Sequence, residues 1–155
     1  MTYYRLIWLL PVAFVAHVIE EYLTGFPAYA FVVSGYPMAM ALFLGSNILF
    51  ILIMAWLVGR AAAARTADAS FWLLFWAAGN LFWNFIFHAV TGALFGHSPG
   101  LATATVLYLP LFLAVSATAL KEHVVTRGAL ARATLYGGLY MGAVAAFAIF
   151  HVQGF

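Results

Sequence analysis

The chain has 155 residues, 67% of them hydrophobic and only 6% charged, with a mean hydropathy of +1.06. Soluble domains carry about 25% charged residues, so this composition belongs to a membrane-embedded protein. Six basic residues are too few for a nucleic-acid surface, and the lack of cysteine excludes disulfides and thiolate metal sites.

The length suits a single transmembrane domain, 1–155. Roughly 30 Å of hydrocarbon takes about 20 apolar residues at 1.5 Å each. Five stretches qualify, about 5–23, 38–59, 70–95, 101–121 and 133–152, which predicts an all-α bundle of five transmembrane helices. The first has features of a signal peptide, since Arg5 precedes it and Ala28-Tyr29-Ala30 resembles a cleavage site. Glu20 and Glu21 would sit just before the cut, so it is read as a retained helix. The next stretch, "TGFPAYAFVVSGYP", is uncharged, broken by Gly and Pro and rich in aromatics. It reads as an interfacial or re-entrant segment over 24–37.

Basic residues give the bundle a direction. Arg5 precedes the first span, Arg60 and Arg65 follow the second, and Lys121, Arg127 and Arg132 lie between the fourth and fifth. With alternating helices all six share one side, which places the N-terminus in the cytoplasm and the C-terminus outside. Ser70 is the expected N-cap of the third span, with Asp68 near its positive end. "GHSPG", 96–100, is a tight turn to the fourth span. Gly138 and Gly142 form a G-x-x-x-G pair suited to packing inside the bundle or to a homodimer.

Direction supplies depth. In the outward-running first span, residues 17 to 21 lie roughly 17–24 Å beyond the inner end. The third span carries "GNLFWNFIFHAVTG", in which Asn80, Asn84 and His88 recur every four residues on one face that Thr91 continues. His88 and, in the fifth span, His151 reach a similar height, with His97 just above. Ionisable residues within membrane spans usually face the bundle interior and mark functional sites. His17 stands three residues from Glu20 and four from Glu21, so either carboxylate can lie beside the imidazole, with Glu21 favoured. The two glutamates point about 100° apart, so the second orients His17 or faces the interfacial segment. Structural roles compete: glutamates at a helix end snorkel, His88 with the asparagines can be interhelical glue, and His151 can be interfacial. His97 reads as a turn residue, and His123 as a solvated loop residue beside Lys121 and Glu122.

"HVIEE", His17 to Glu21, resembles the signature of the HXXEE-motif family of small polytopic bacterial membrane proteins, with "NLFWNFIFH" as their later Asn/His-bearing helix. The resemblance implies a multi-pass protein of the bacterial inner membrane and supplies no reaction. "HVIEEYL" is more weakly similar to the His-x-x-x-Glu segment of emopamil-binding-type sterol isomerases, mapping onto His17 and Glu21. Glu20 departs from that pattern.

Three functions compete. A metal-dependent enzyme would hold zinc or iron with His17, Glu21 and His88, His151 being an optional fourth ligand. It would hydrolyse a lipophilic small molecule, with Glu20 as general base and Asn84 orienting a ligand or stabilising an oxyanion. A metal-free isomerase or cyclase would use a buried glutamate and His17 as acid and base on a lipid or isoprenoid. The aromatics Trp76, Phe82, Trp83, Phe85 and Phe87 would then stabilise a carbocation. Ion or proton transport would need polar groups through the inner half, where only Asn47 and Ser116 stand out. The expected partners are membrane lipids and a lipophilic substrate entering from the membrane.

Overall fold

The computed structural model describes residues 1–151, with side chains through 147. Helices are its only regular elements among the described residues. They are α1 (Tyr3–Leu23), α2 (Phe26–Ser34), α3 (Met40–Ala64), α4 (Ala67–Phe95), α5 (Leu101–Lys121) and α6 (Arg127–His151). By length and composition α1, α3, α4 and α5 are each able to cross a membrane. Their exposed surfaces carry Val12, Ile19, Leu49, Leu52, Val106 and Leu113, as lipid-facing surfaces do.

The interior face of α1 follows from spacing. Tyr3, Ile7, Leu10, Phe14, His17 and Glu21 are all buried and alternate by four and three residues, a single stripe along the helix. Pro11 has no N–H for the Ile7 carbonyl, and the helix loosens into a turn at 7–8, where Leu10 donates to Ile7 instead. Its apolar residues share one core with Met54 and Val58 of α3, Leu73 and Leu81 of α4, and Phe112 and Val115 of α5.

The predicted boundaries shift at caps. The third span begins at Ala67 because Thr66 accepts from the Ala69 amide; Ser70 is buried in the first turn and is not the N-cap. The run of alanines carries α3 on to Ala64, where Arg65 closes it in the left-handed region. The uncharged segment forms α2, set between left-handed Gly25 and Gly35.

Two π segments interrupt the spans, Ala78–Trp83 in α4 and Ala104–Tyr108 in α5. The second precedes Pro110, which cannot donate, and Leu109 reaches back to the Ala104 carbonyl. Each wide turn rotates the residues after it relative to a plain α-helix, so four-residue spacing across 78–83 no longer means one face.

α6 lies against α4 where both lack side chains. A Cβ on Gly137 would meet the Phe75 oxygen at 2.7 Å and the Gly79 nitrogen at 2.8 Å, so only glycine allows this approach. Gly138 lies under the Trp83 ring, whose Nε1 donates to the Thr134 carbonyl at 2.8 Å, whereas Gly142 has open space around it.

Three contacts join the basic ends. The Tyr3 amide donates to Glu122 at 3.1 Å, Arg65 stacks on Tyr4, and Arg60 pairs with Asp68 at 2.9 Å. The start of α1, the α3–α4 turn and the α5–α6 turn therefore share one end of the bundle, and His17, Glu20 and Glu21 lie toward the other.

Candidate functional site

At that opposite end α1 and α4 bring His17, Glu21 and His88 together, all three buried. Glu21 Oε1 lies 3.4 Å from His17 Nε2 and 3.3 Å from His88 Nε2. The two rings meet edge to face with centroids 4.9 Å apart. Neither Nε2 makes a hydrogen bond to any described residue. The potential ligand atoms of the three side chains all lie within 4.8 Å of one another, a group able to hold a metal ion.

The outer nitrogens are held by the turn and first residues of α5. His17 Nδ1 lies 2.9 Å from Thr103 Oγ1, and His88 Nδ1 lies 2.9 Å from Ser98 Oγ. Thr91 Oγ1 stands 2.9 Å from both the Phe87 carbonyl and Ser98 Oγ. Ser98 and Thr103 can each give or take a proton at Nδ1, so the tautomers follow what occupies the Nε2 side. With Nδ1 protonated, both Nε2 lone pairs face the Glu21 carboxylate, and that is the arrangement a cation completes.

Gly100 closes the site from above. Its φ is +93°, and a Cβ there would lie 2.8 Å from His17 Cε1, 2.9 Å from His88 Cε1 and 3.0 Å from Glu21 Cγ. Tyr108 flanks the other side, its ring 4.2 Å from that of His17, and Phe26 and Phe87 pack on His88.

The adjacent glutamates have separate positions. Glu20 turns to the start of α5, accepting from Ala102 N at 3.2 Å and Thr103 N at 2.6 Å, and caps that helix from α1. Asn80 is buried and donates to its own Trp76 carbonyl, and Asn84 Oδ1 is buried without a hydrogen-bond partner among the described residues. Neither amide bonds the cluster; both line the cavity beside it. His97 lies outside the cluster, its carbonyl accepting from Tyr29 at 2.8 Å. The His151 side chain lies outside the described residues. The sequence reading missed Ser98, Gly100, Thr103 and Tyr108. It took "GHSPG" as a connection only, although a hydroxyl and a glycine just after the span that bears His88 were its available signals.

A cavity of about 170 Å³ is lined by Glu21 and His17, by Tyr108, Phe14 and Phe43, and by Asn47, Asn80 and Asn84. Residues of α2, of the segment 36–38 and of α6 also line it.

These features define a helical, multi-pass membrane protein with a buried two-histidine, one-carboxylate cluster beside an apolar cavity. The family model described as "Protein of unknown function with HXXEE motif" matches residues 8–115, and the chain belongs to that family. The match runs from α1 into α5 and contains every residue of the cluster. No curated protein and no solved structure matches the chain.

Proposed function

We propose that this protein is a membrane-embedded, metal-dependent enzyme that hydrolyses a lipophilic small molecule. The observation that carries the reading is the pair of buried Nε2 atoms that face one Glu21 oxygen at 3.3 and 3.4 Å without hydrogen-bond geometry. A charge-assisted N–H···O bond spans about 2.7–2.9 Å. Two ligand atoms about 2.0–2.1 Å from a tetrahedral zinc ion stand about 3.3 Å apart, close to both separations. His17, Glu21 and His88 would hold the ion, and the hydroxyls of Thr103 and Ser98 would accept the Nδ1 protons of the two histidines. Bound there, zinc or iron would supply a Lewis acid and a water activated near neutral pH.

The chain's own groups supply the rest. His17 and Glu21 stand on the cavity wall while His88 lies behind them, so a substrate meets the cluster from the cavity side. Phe14, Phe43 and Tyr108 exclude bulk water and give the site its preference for apolar molecules. Asn84 is the amide available to orient a bound molecule. Glu20, with its oxygens on the Ala102 and Thr103 amides, holds α5 in place, and the general base is sought elsewhere. The same reading includes α6 as a fifth span, the basic end in the cytoplasm of a bacterial inner membrane, and substrate entering from the outer leaflet.

Elemental analysis of protein purified without chelator tests this. The expected result is about one zinc or iron per chain, nearly all of it lost in Glu21→Gln and in His88→Ala. A wild type free of metal, whose melting temperature does not respond to added Zn²⁺ or Fe²⁺, overturns it. The alternative is metal-free acid–base chemistry on a lipid or isoprenoid, and one observation favours it: at 3.3 and 3.4 Å a proton shared between Glu21 and either Nε2 would also hold the three side chains together. It predicts a metal-free protein in which Glu21→Gln still folds and keeps its cavity.

A further inference from the structure

The cavity has further polar residues, of which the metal reading uses only Asn84. Asn47 of α3 and Asn80 and Asn84 of α4 line it, as do Ser34 and Ser46. Several of their donors are turned back on the helices. Ser34 donates to the Ala30 carbonyl at 2.8 Å and Ser46 to the Leu42 carbonyl at 2.7 Å. Asn47 Nδ2 donates to the Phe43 carbonyl and Asn80 Nδ2 to the Trp76 carbonyl, each at 2.9 Å. A backbone carbonyl only accepts, so Nδ2 is the end turned back on the helix, and each amide keeps its Oδ1 acceptor and a second N–H. Asn84 makes no hydrogen bond within the described residues and keeps both its donor and its acceptor. No lysine or arginine lines the cavity among the described residues.

We infer that this amide region binds the hydroxyl of an uncharged lipophilic molecule, and so sets the substrate class of the cluster beside it. A hydroxyl both donates and accepts, which matches amides that each offer an Oδ1 acceptor and an N–H donor. An ether or a carboxylate cannot donate to the Oδ1 atoms, and a carboxylate or phosphate would also lie where no lysine or arginine of the described residues neutralises it. An ammonium cannot accept from the free N–H groups. The inference rests on the proposed function only in taking this cavity as the substrate's. The substrate is then an amphiphile with a free hydroxyl at the amide region and its cleavable bond toward His17 and Glu21.

The test uses the full chain in lipid nanodiscs, with 1-decanol, decyl methyl ether, decanoate and decylammonium as probes and thermal unfolding as readout. Decanol is expected to raise Tm saturably, and the other three are not. Asn80→Leu and Asn84→Leu are each expected to weaken decanol roughly tenfold, the worth of about one buried hydrogen bond. Equal shifts from decanol and its methyl ether overturn the inference, as does a stronger shift from decanoate or decylammonium. This comparison stands on wild-type protein even where an asparagine variant does not fold. Glu21→Gln separates the two readings, since it is expected to lose metal and keep the decanol shift. Decanol binding lost in Glu21→Gln but intact in both asparagine variants overturns the hydroxyl site and leaves the metal reading standing. A metal-free wild type that still selects decanol overturns the metal reading alone.

Discussion

Gly100 is the residue on which the cluster's enclosure depends. Its backbone is left-handed, a conformation that costs an L-residue about 1–2 kcal/mol before any contact is counted. A Cβ there would also press on both histidines and Glu21 at 2.8 to 3.0 Å. Gly100→Ala is therefore expected to lower Tm by several degrees and to cut metal content, read by thermal melts and elemental analysis on one preparation. The hydroxyls are subtler. Ser98→Ala and Thr103→Val remove the partners of His88 and His17 Nδ1 and leave the ligand atoms in place. Such outer partners are typically worth about 10–100-fold in metal affinity, so a chelator competition should show a loss of that size with little change in Tm. Full affinity in both variants would remove the tautomer argument. At this scale much of the site was legible, because a histidine and two glutamates in a membrane span cannot be bland. The choice of Glu21 over Glu20 was legible too, from a signal that spacing to His17 alone does not use. The alternating stripe Tyr3, Ile7, Leu10, Phe14, His17 runs on to Glu21 and bypasses Glu20. The partners on 98–103 were hidden because a turn's sequence does not say which helices it covers.

Single polar contacts between elements decide how the bundle closes. Glu20 caps α5 across the gap between two helices, satisfying two of the amides that a helix start leaves open. Glu20→Gln keeps one acceptor and loses the charge, which at a helix N-terminus is worth about 1 kcal/mol. Unfolding titrations should show that loss with metal retained, the reverse of Glu21→Gln, where metal goes first. If both variants lose metal equally, the division of labour between the adjacent glutamates is wrong. The helices themselves were readable from hydropathy, because a membrane span needs little besides length and apolarity. The π segments were not. Asn80 and Asn84 lie on either side of the end of the wide turn and both line the cavity, while His88, one plain α turn beyond Asn84, joins the cluster. Close packing was placed at Gly138 and Gly142. Gly138 does pack tightly, under the Trp83 ring, but Gly142 does not, and the closest backbone approach falls at Gly137, because its counterpart Gly79 lies on another helix and no single-helix motif reveals it.

For the whole molecule the remaining question is which way the bundle faces. All six basic residues fall at the start of α1, the end of α3, the end of α5 or the start of α6. The Tyr3–Glu122 and Arg65–Tyr4 contacts show that these regions share one end. The inner membrane retains such an end on the cytoplasmic side, which would set His17, Glu21 and His88 toward the outer leaflet. A cysteine-free chain makes this directly measurable. Ala64 is exposed at the end of α3 and Ala39 is exposed at its start, so a single cysteine at either position reports one face. In intact bacterial cells a membrane-impermeant maleimide should label Ala39→Cys and spare Ala64→Cys until the cells are opened. The opposite pattern would invert the bundle and place the cluster on the cytoplasmic side, where metal supply and substrate would come from the cell interior. Labelling of Ala39→Cys alone fixes only the α3 termini; a third cysteine at Thr126, exposed between α5 and α6, should behave as Ala64→Cys does. If it instead labels from outside while Ala64→Cys does not, the α5–α6 turn would face away from the α3–α4 turn, contradicting the shared basic end on which the depth of the site depends.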